Sequence, residues 1–167
     1  TTVRPAFNVM VLTGPTNTND TMFRWPIICL TSNTRPDGDA TRQELYGMST
    51  ACAVALFNMG LCCHLSLQDK ELSAHEHDAR LAQAESLYLK GIELSVHCNV
   101  AFLNLALSAN LMDISFAWGN LSALHIWFGY FVHEMQFLPR NSPNEIFSAF
   151  CRSHFLYSGA MIAARAA

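Results

Sequence analysis

Charge is what this chain has least of. Only 14 % of its 167 residues are Asp, Glu, Lys or Arg, against roughly 25 % in ordinary soluble proteins. So thin a polar coat points to a surface partly covered by other subunits or by a membrane. The balance is slightly acidic, with a formal charge of −3 and a pI near 6.1, and it lacks the basic face that nucleic-acid binding calls for. Catalytic signatures are missing too. There is no G-x-S-x-G, phosphate-loop glycine pattern or dinucleotide fingerprint, which removes the common routes to acyl transfer, nucleotide hydrolysis and hydride transfer. H-E-x-x-H and E-x-x-H are absent as well, so neither a zincin nor a di-iron bundle is written here.

A membrane-spanning helix would need roughly 20 mostly apolar residues. The best candidate, CNVAFLNLALSANLMDISFAW (98–118), carries Asn99, Asn104, Asn110 and Asp113. Those groups are costly in lipid, so the stretch reads as a buried helix of a soluble fold. No signal-type segment opens the chain, and TTVRP without an initiator Met reads as a trimmed product. The six cysteines form no CxxC pair. Most fall in apolar helical pattern, where a free thiol behaves as a small hydrophobe, and they read as reduced, buried thiols of an intracellular, reducing compartment.

What is present, in a length that suits one core, is helical periodicity from about Thr41 onward. Helices are expected over roughly 43–67, 78–97, 99–114, 119–136 and 143–164. Asp78 is the expected N-cap of the second, and Ser142 precedes Pro143 at the start of the last. Residues 1–43 differ: PAFNVMVLTG and FRWPIICLTS are β-rich runs around the turn-forming PTNTND. They form an N-terminal arm, either a hairpin or an extended segment, ahead of a helical-repeat domain over 44–167. The fold class expected is all-α: stacked antiparallel helical hairpins, about five helices, with that arm.

The hairpins share a pattern. Leu56-x-x-Met59-Gly60-x-x-Cys63 is followed by Ala84-x-x-x-Tyr88-x-x-Gly91; Phe102-x-x-Leu105-Ala106-x-x-Ala109 is followed by Ser122-x-x-x-Ile126-x-x-Gly129. In each unit a small residue sits where paired helices would approach closely, and an Asn (Asn58, Asn104) comes just before. On these residues the chain resembles the tetratricopeptide family over roughly 45–135. It departs from that family in its longer unit, in the lack of a closing proline after the first unit, and in having Leu56 or Phe102 where Trp is usual. It is similar also to helical-repeat proteins of diatom type in ALFNMGLCCHL, LYLKGIEL, FLNLAL and NEIFSAF…AARAA, over roughly 51–167. Neither resemblance implies an activity; both imply the fold.

The candidate sites follow. Cys62-Cys63-His64 reads as scaffold, because adjacent helical residues point about 100° apart and cannot chelate one ion alone. His75, Glu76, His77 and Asp78 form the densest polar cluster, expected as a solvated loop; imidazole and carboxylate suit a transition metal, and this supports the alternative of a metal-binding protein. Asn58, His64, Asn104 and Asn110 are the candidate partner-binding groove, since Asn can donate to and accept from a bound peptide backbone. The competing role for these Asn residues is bonding within the domain. Phe23, Trp25 and Ile27 are the arm's expected anchors, and Ile146, Phe147, Phe150 and Phe155 the expected apolar stripe of the last helix. The reading as a whole is a non-enzymatic interaction module or accessory subunit of a larger assembly, with no cofactor, no nucleic acid and no membrane span. Low charge together with the resemblance to diatom-type proteins suggests a further alternative, a peripheral membrane or photosynthetic accessory component.

Overall fold

The structure, a computed structural model, describes residues 7–11, 23–31, 40–68, 71–98, 100–138 and 144–166. Among them are two strands, β1 (Phe7–Val11) and β2 (Ile27–Thr31), and five α-helices: α1 (Ala40–Leu65), α2 (Ala74–Ser95), α3 (Ala101–Ala117), α4 (Leu121–Met135) and α5 (Asn144–Ala166). The chain is mostly helical, as its periodicity predicts. α1 starts a few residues earlier than expected, and the two β-rich runs pair as an antiparallel ladder from Phe7 opposite Thr31 to Val11 opposite Ile27.

Helix ends are set by local chemistry. α1 closes into a short 3-10 turn, Ser66–Gln68, where the Ser66 hydroxyl donates to the Cys63 carbonyl (2.6 Å). α2 starts at a capping box: Ser73 Oγ accepts from the Glu76 N–H (3.3 Å), and the Glu76 carboxylate accepts from the Ser73 N–H (3.0 Å). The N-cap is therefore Ser73 rather than Asp78, and the box adds a turn to the helix. α3 ends in a Schellman motif. Gly119, at φ 65°, donates to the Phe116 carbonyl and Asn120 donates to that of Ser115, the left-handed geometry glycine accepts without penalty. Asn120 then caps α4 by accepting from the Ala123 N–H (3.1 Å).

Consecutive helices pack on one another from α1 to α5, α5 also meets α3, and β2 lies on α1. α3 is the centre: every residue from Leu103 to Met112 is buried. Its hydroxyls are satisfied within the helix, Ser108 donating to the Asn104 carbonyl and Ser115 to that of Leu111, both at 2.7 Å. α1 and α2 approach closely at Gly60, where an added Cβ would lie 2.6 Å from Tyr88 Cε1.

Two expected stripes are corrected. On α4, Ser122, Ile126 and Gly129 are exposed, and the buried residues are Leu124, Phe131 and Glu134. These follow the i, i+7, i+10 steps of one helix face, so the second hairpin does not copy the first. On α5, Phe150, Ser153 and Tyr157 are buried whereas Phe147 and Phe155 are exposed; the Ile146 side chain lies outside the described residues. The thiols are all free, but only Cys98 is buried, and Cys52 and Cys62 are exposed.

Candidate functional site: a groove that holds an extended segment

Residues 23–27, Phe-Arg-Trp-Pro-Ile, run along the helices and lead into β2 at Ile27. Phe23, Trp25 and Ile27 are buried while Arg24 is half-buried and Pro26 exposed, the period-two alternation of a strand with one face inward. Pro26 has no N–H to satisfy and sits where none is needed. Such a segment brings main-chain groups into the protein interior, and each must find a partner.

Two asparagines supply them. Asn110, fully buried on α3, accepts from the Phe23 N–H through Oδ1 (2.8 Å) and donates from Nδ2 to the Phe23 carbonyl (3.2 Å). Asn58 on α1 does the same at Ile27, accepting at 2.9 Å and donating at 2.7 Å. A primary amide presents a donor and an acceptor side by side, so each asparagine reads one residue of extended backbone and no side chain. Asn110 also donates to the Tyr88 hydroxyl (3.1 Å), which holds the amide in that orientation. Burial pushes the Tyr88 hydroxyl well above the ordinary tyrosine range, so it stays protonated there.

Side-chain burial comes from an aromatic nest. The Phe23 ring stacks on Phe150 of α5 (centroids 5.2 Å apart), meets Phe102 of α3 edge-on (5.5 Å) and Phe57 of α1 at 6.0 Å, and packs edge-on to Trp25 (5.1 Å). Burying a Phe side chain contributes about 1.5–3 kcal/mol. The same three helices meet again further along. His64 of α1 lies with Nε2 3.3 Å from Asp113 Oδ2 on α3, and Asp113 Oδ1 accepts from the Tyr157 hydroxyl of α5 (2.8 Å). From the first set of contacts to the second the residue number rises on each helix, so α1, α3 and α5 run in the same direction where they meet.

The predicted site residues therefore divide. Asn58 and Asn110 face the extended segment. His64 is buried against Asp113 and Tyr88, tying α1 to α3 rather than lining open space. Asn104 does not face the segment at all: it accepts from the Ser95 hydroxyl (2.6 Å) and donates to the Glu134 carboxylate (3.1 Å), joining α2, α3 and α4. Although Asn58 and Asn104 hold matching places in the repeat, Asn110 does the work on α3. The aromatic nest and the Asp113–Tyr157 contact were not among the predicted site residues. Asp113, one acid in an apolar helix, was the signal available for them.

His75, Glu76 and His77 lie in the first turn of α2 and Asp78 follows them on the same helix, not in a loop. Glu76 is engaged by Ser73, and its carboxyl is held below the ordinary glutamate value by the Ser73 side-chain and backbone hydrogen bonds. Among the described residues no group of three or more His, Cys, Asp or Glu is placed to hold a metal ion. Cys62 points to solvent and Cys63 is half-buried against the core; burial, then the neighbouring Cys62, push the Cys63 thiol up. No family model, no curated protein and no solved structure matches this chain.

Proposed function

We propose that the protein is a non-enzymatic interaction module of stacked helical hairpins, tetratricopeptide-like, whose concave face holds an extended peptide segment. The observation that carries this reading is the pair of amide clamps, Asn58 on Ile27 and Asn110 on Phe23. The common direction of α1, α3 and α5 supports the stacking, because first helices of successive hairpins run parallel in such repeats. The groove's occupant is the chain's own residues 23–27, and a protein partner engages by putting a segment of the same kind in their place. Main-chain hydrogen bonds supply affinity and alternate apolar pockets supply selectivity, as in strand-addition binding.

Loosening the arm tests this. In a Phe23→Ala/Trp25→Ala double variant of the full chain, a fluorescent peptide copying residues 21–29 should bind at least tenfold more tightly than to the parent. Adding Asn58→Ala and Asn110→Ala should abolish that binding. Loss of the helical circular dichroism signal in the double variant would make the arm an integral part of the core and overturn the proposal. So would a folded double variant that does not take up the peptide.

A further inference from the structure

α1 has a second apolar face, separate from the groove. No Asp, Glu, Lys or Arg occurs between Leu45 and Gln68. Gly47, Thr50, Ala53, Val54, Phe57, Gly60, Leu61 and His64 turn inward and are buried. On the opposite side Leu45 (62 % exposed), Met48 (66 %) and Met59 (55 %) stand in solvent with Cys52, Ala55 and Cys62. The neighbouring helix behaves otherwise: the outward positions of α2 include Gln83, Ser86, Lys90 and Glu93, the polar coat expected of a surface helix.

The outward stripe steps 45, 48, 52, 55, 59, 62. That strict alternation of three and four is the seam of a coiled coil, narrower than the face a helix buries in its own core. We propose that this face docks a second copy of the chain, α1 against α1, antiparallel about a two-fold axis.

The stripe matches itself under that operation. Leu45 comes opposite the partner's Cys62, Met48 opposite the partner's Met59, and Cys52 opposite the partner's Ala55. Large meets small at the ends, two adaptable thioethers meet between, and small residues at the centre let the helices close in. Of the residues flanking the seam, Ser49, Ala51, Leu56, Asn58 and Cys63 are uncharged and Glu44 stands at one end, so the seam lacks the pattern of flanking charges that selects partners in mixed coiled coils. An isologous contact needs none. The stripe is about 26 Å long, and two such faces together bury roughly 1,000 Å², the lower bound of a specific interface.

A membrane is the rival occupant. Leu45–Gln68 is long and apolar enough to cross one by length and composition, yet 39 % of its apolar window is buried in the protein. A span would have to keep or replace the contacts of Phe57, Leu61 and the Asn58 clamp, whereas adhesion to a membrane surface would cover the outward stripe alone.

Sedimentation velocity on the full chain should show a concentration-dependent dimer. Met48→Glu/Met59→Glu should weaken self-association at least tenfold, with the helical circular dichroism signal kept. Asn110→Ala, on α3 and away from the stripe, should leave the dimer intact, which separates this surface from the groove. Leu45→Cys should give a disulfide-linked dimer under mild oxidant through the partner's Cys62, and adding Cys62→Ser should remove it. A chain that stays monomeric, a dimer indifferent to the glutamates, or a crosslink that survives Cys62→Ser would overturn the proposal. So would flotation of a monomeric chain with phosphatidylcholine–phosphatidylserine vesicles that the two glutamates abolish. If the glutamate pair unfolds the chain, the crosslink and its loss in Cys62→Ser decide the matter alone.

Discussion

The ring of Tyr88 occupies the space that Gly60 leaves open: a Cβ on Gly60 would meet Tyr88 Cε1 at 2.6 Å and Cδ1 at 2.9 Å. Tyr88 is fully buried and its hydroxyl is bonded to Asn110, so it cannot swing aside cheaply. Gly60→Ala should therefore destabilise by about 1–3 kcal/mol through overpacking, although alanine favours the helix by roughly 1 kcal/mol. A melting temperature at or above the parent's would show that the α1–α2 crossing yields.

The asparagines should separate into two classes. Asn110→Ala leaves the Phe23 N–H and carbonyl buried without partners, at about 1–3 kcal/mol for each group. Asn58→Ala should cost less, because its bonds to Ile27 are only partly buried whereas those of Asn110 to Phe23 are fully buried. In both variants the amide protons of Phe23 and Ile27 should exchange faster while those of α3 stay protected. Asn104→Ala, by contrast, should loosen the α2–α3–α4 junction around Ser95 and Glu134 and leave exchange at Phe23 unchanged.

Acid should act first on the start of α2. The Glu76 carboxyl is held below its ordinary value of 4.5 by Ser73, so the folded state binds fewer protons than the unfolded chain in that range. Its contribution is present above pH 4.5 and fades as the pH falls through the lowered value. Exchange of the Glu76 and His77 amides should quicken there before the rest of the helix responds, and Ser73→Ala should remove the pH step.

Alkali should act on the core. Tyr88 is held protonated by burial, so the folded chain keeps a proton that the unfolded chain releases above pH 10. Stability should fall as the pH rises past 10, and Tyr88→Phe should flatten that slope in denaturant titrations while losing the bond to Asn110.

His75 and His77 lie on the exposed first turn of α2, and replacing both with alanine should change stability by less than about 0.5 kcal/mol. Metal analysis of the purified parent and variant provides the check. A stoichiometric ion lost with the two histidines would restore the metal-binding alternative.

Much of the fold was legible because helices write themselves locally. All five begin and end within a few residues of where periodicity and breakers put them. The exception at α2 was legible too: Ser73-x-x-Glu76 is a capping-box pattern, whereas Asp78 is a capping residue type with no Glu or Gln three positions on. Gly60 and Tyr88 could be paired from one hairpin's small–large spacing. Carrying that spacing to Ser122 and Ile126 failed, since α4 packs on a face set by its own Leu124 and Phe131. Phe23, Trp25 and Ile27 were recognisable as anchors from their alternation. Their partners were not, because Asn110 lies 87 positions from Phe23, and no local pattern records a contact across such a distance.

That distance has a consequence for how the chain is made. Synthesis runs from the N-terminal side, so Phe23 and Trp25 emerge from the ribosome well before Phe102, Asn110 and Phe150. Until α5 has emerged, the aromatic segment has no complete binding site, and contacts this remote in sequence form slowly. A nascent or truncated chain ending before Phe150 displays F-R-W-P-I to whatever it meets, a natural handle for a chaperone and a point of entry for aggregation.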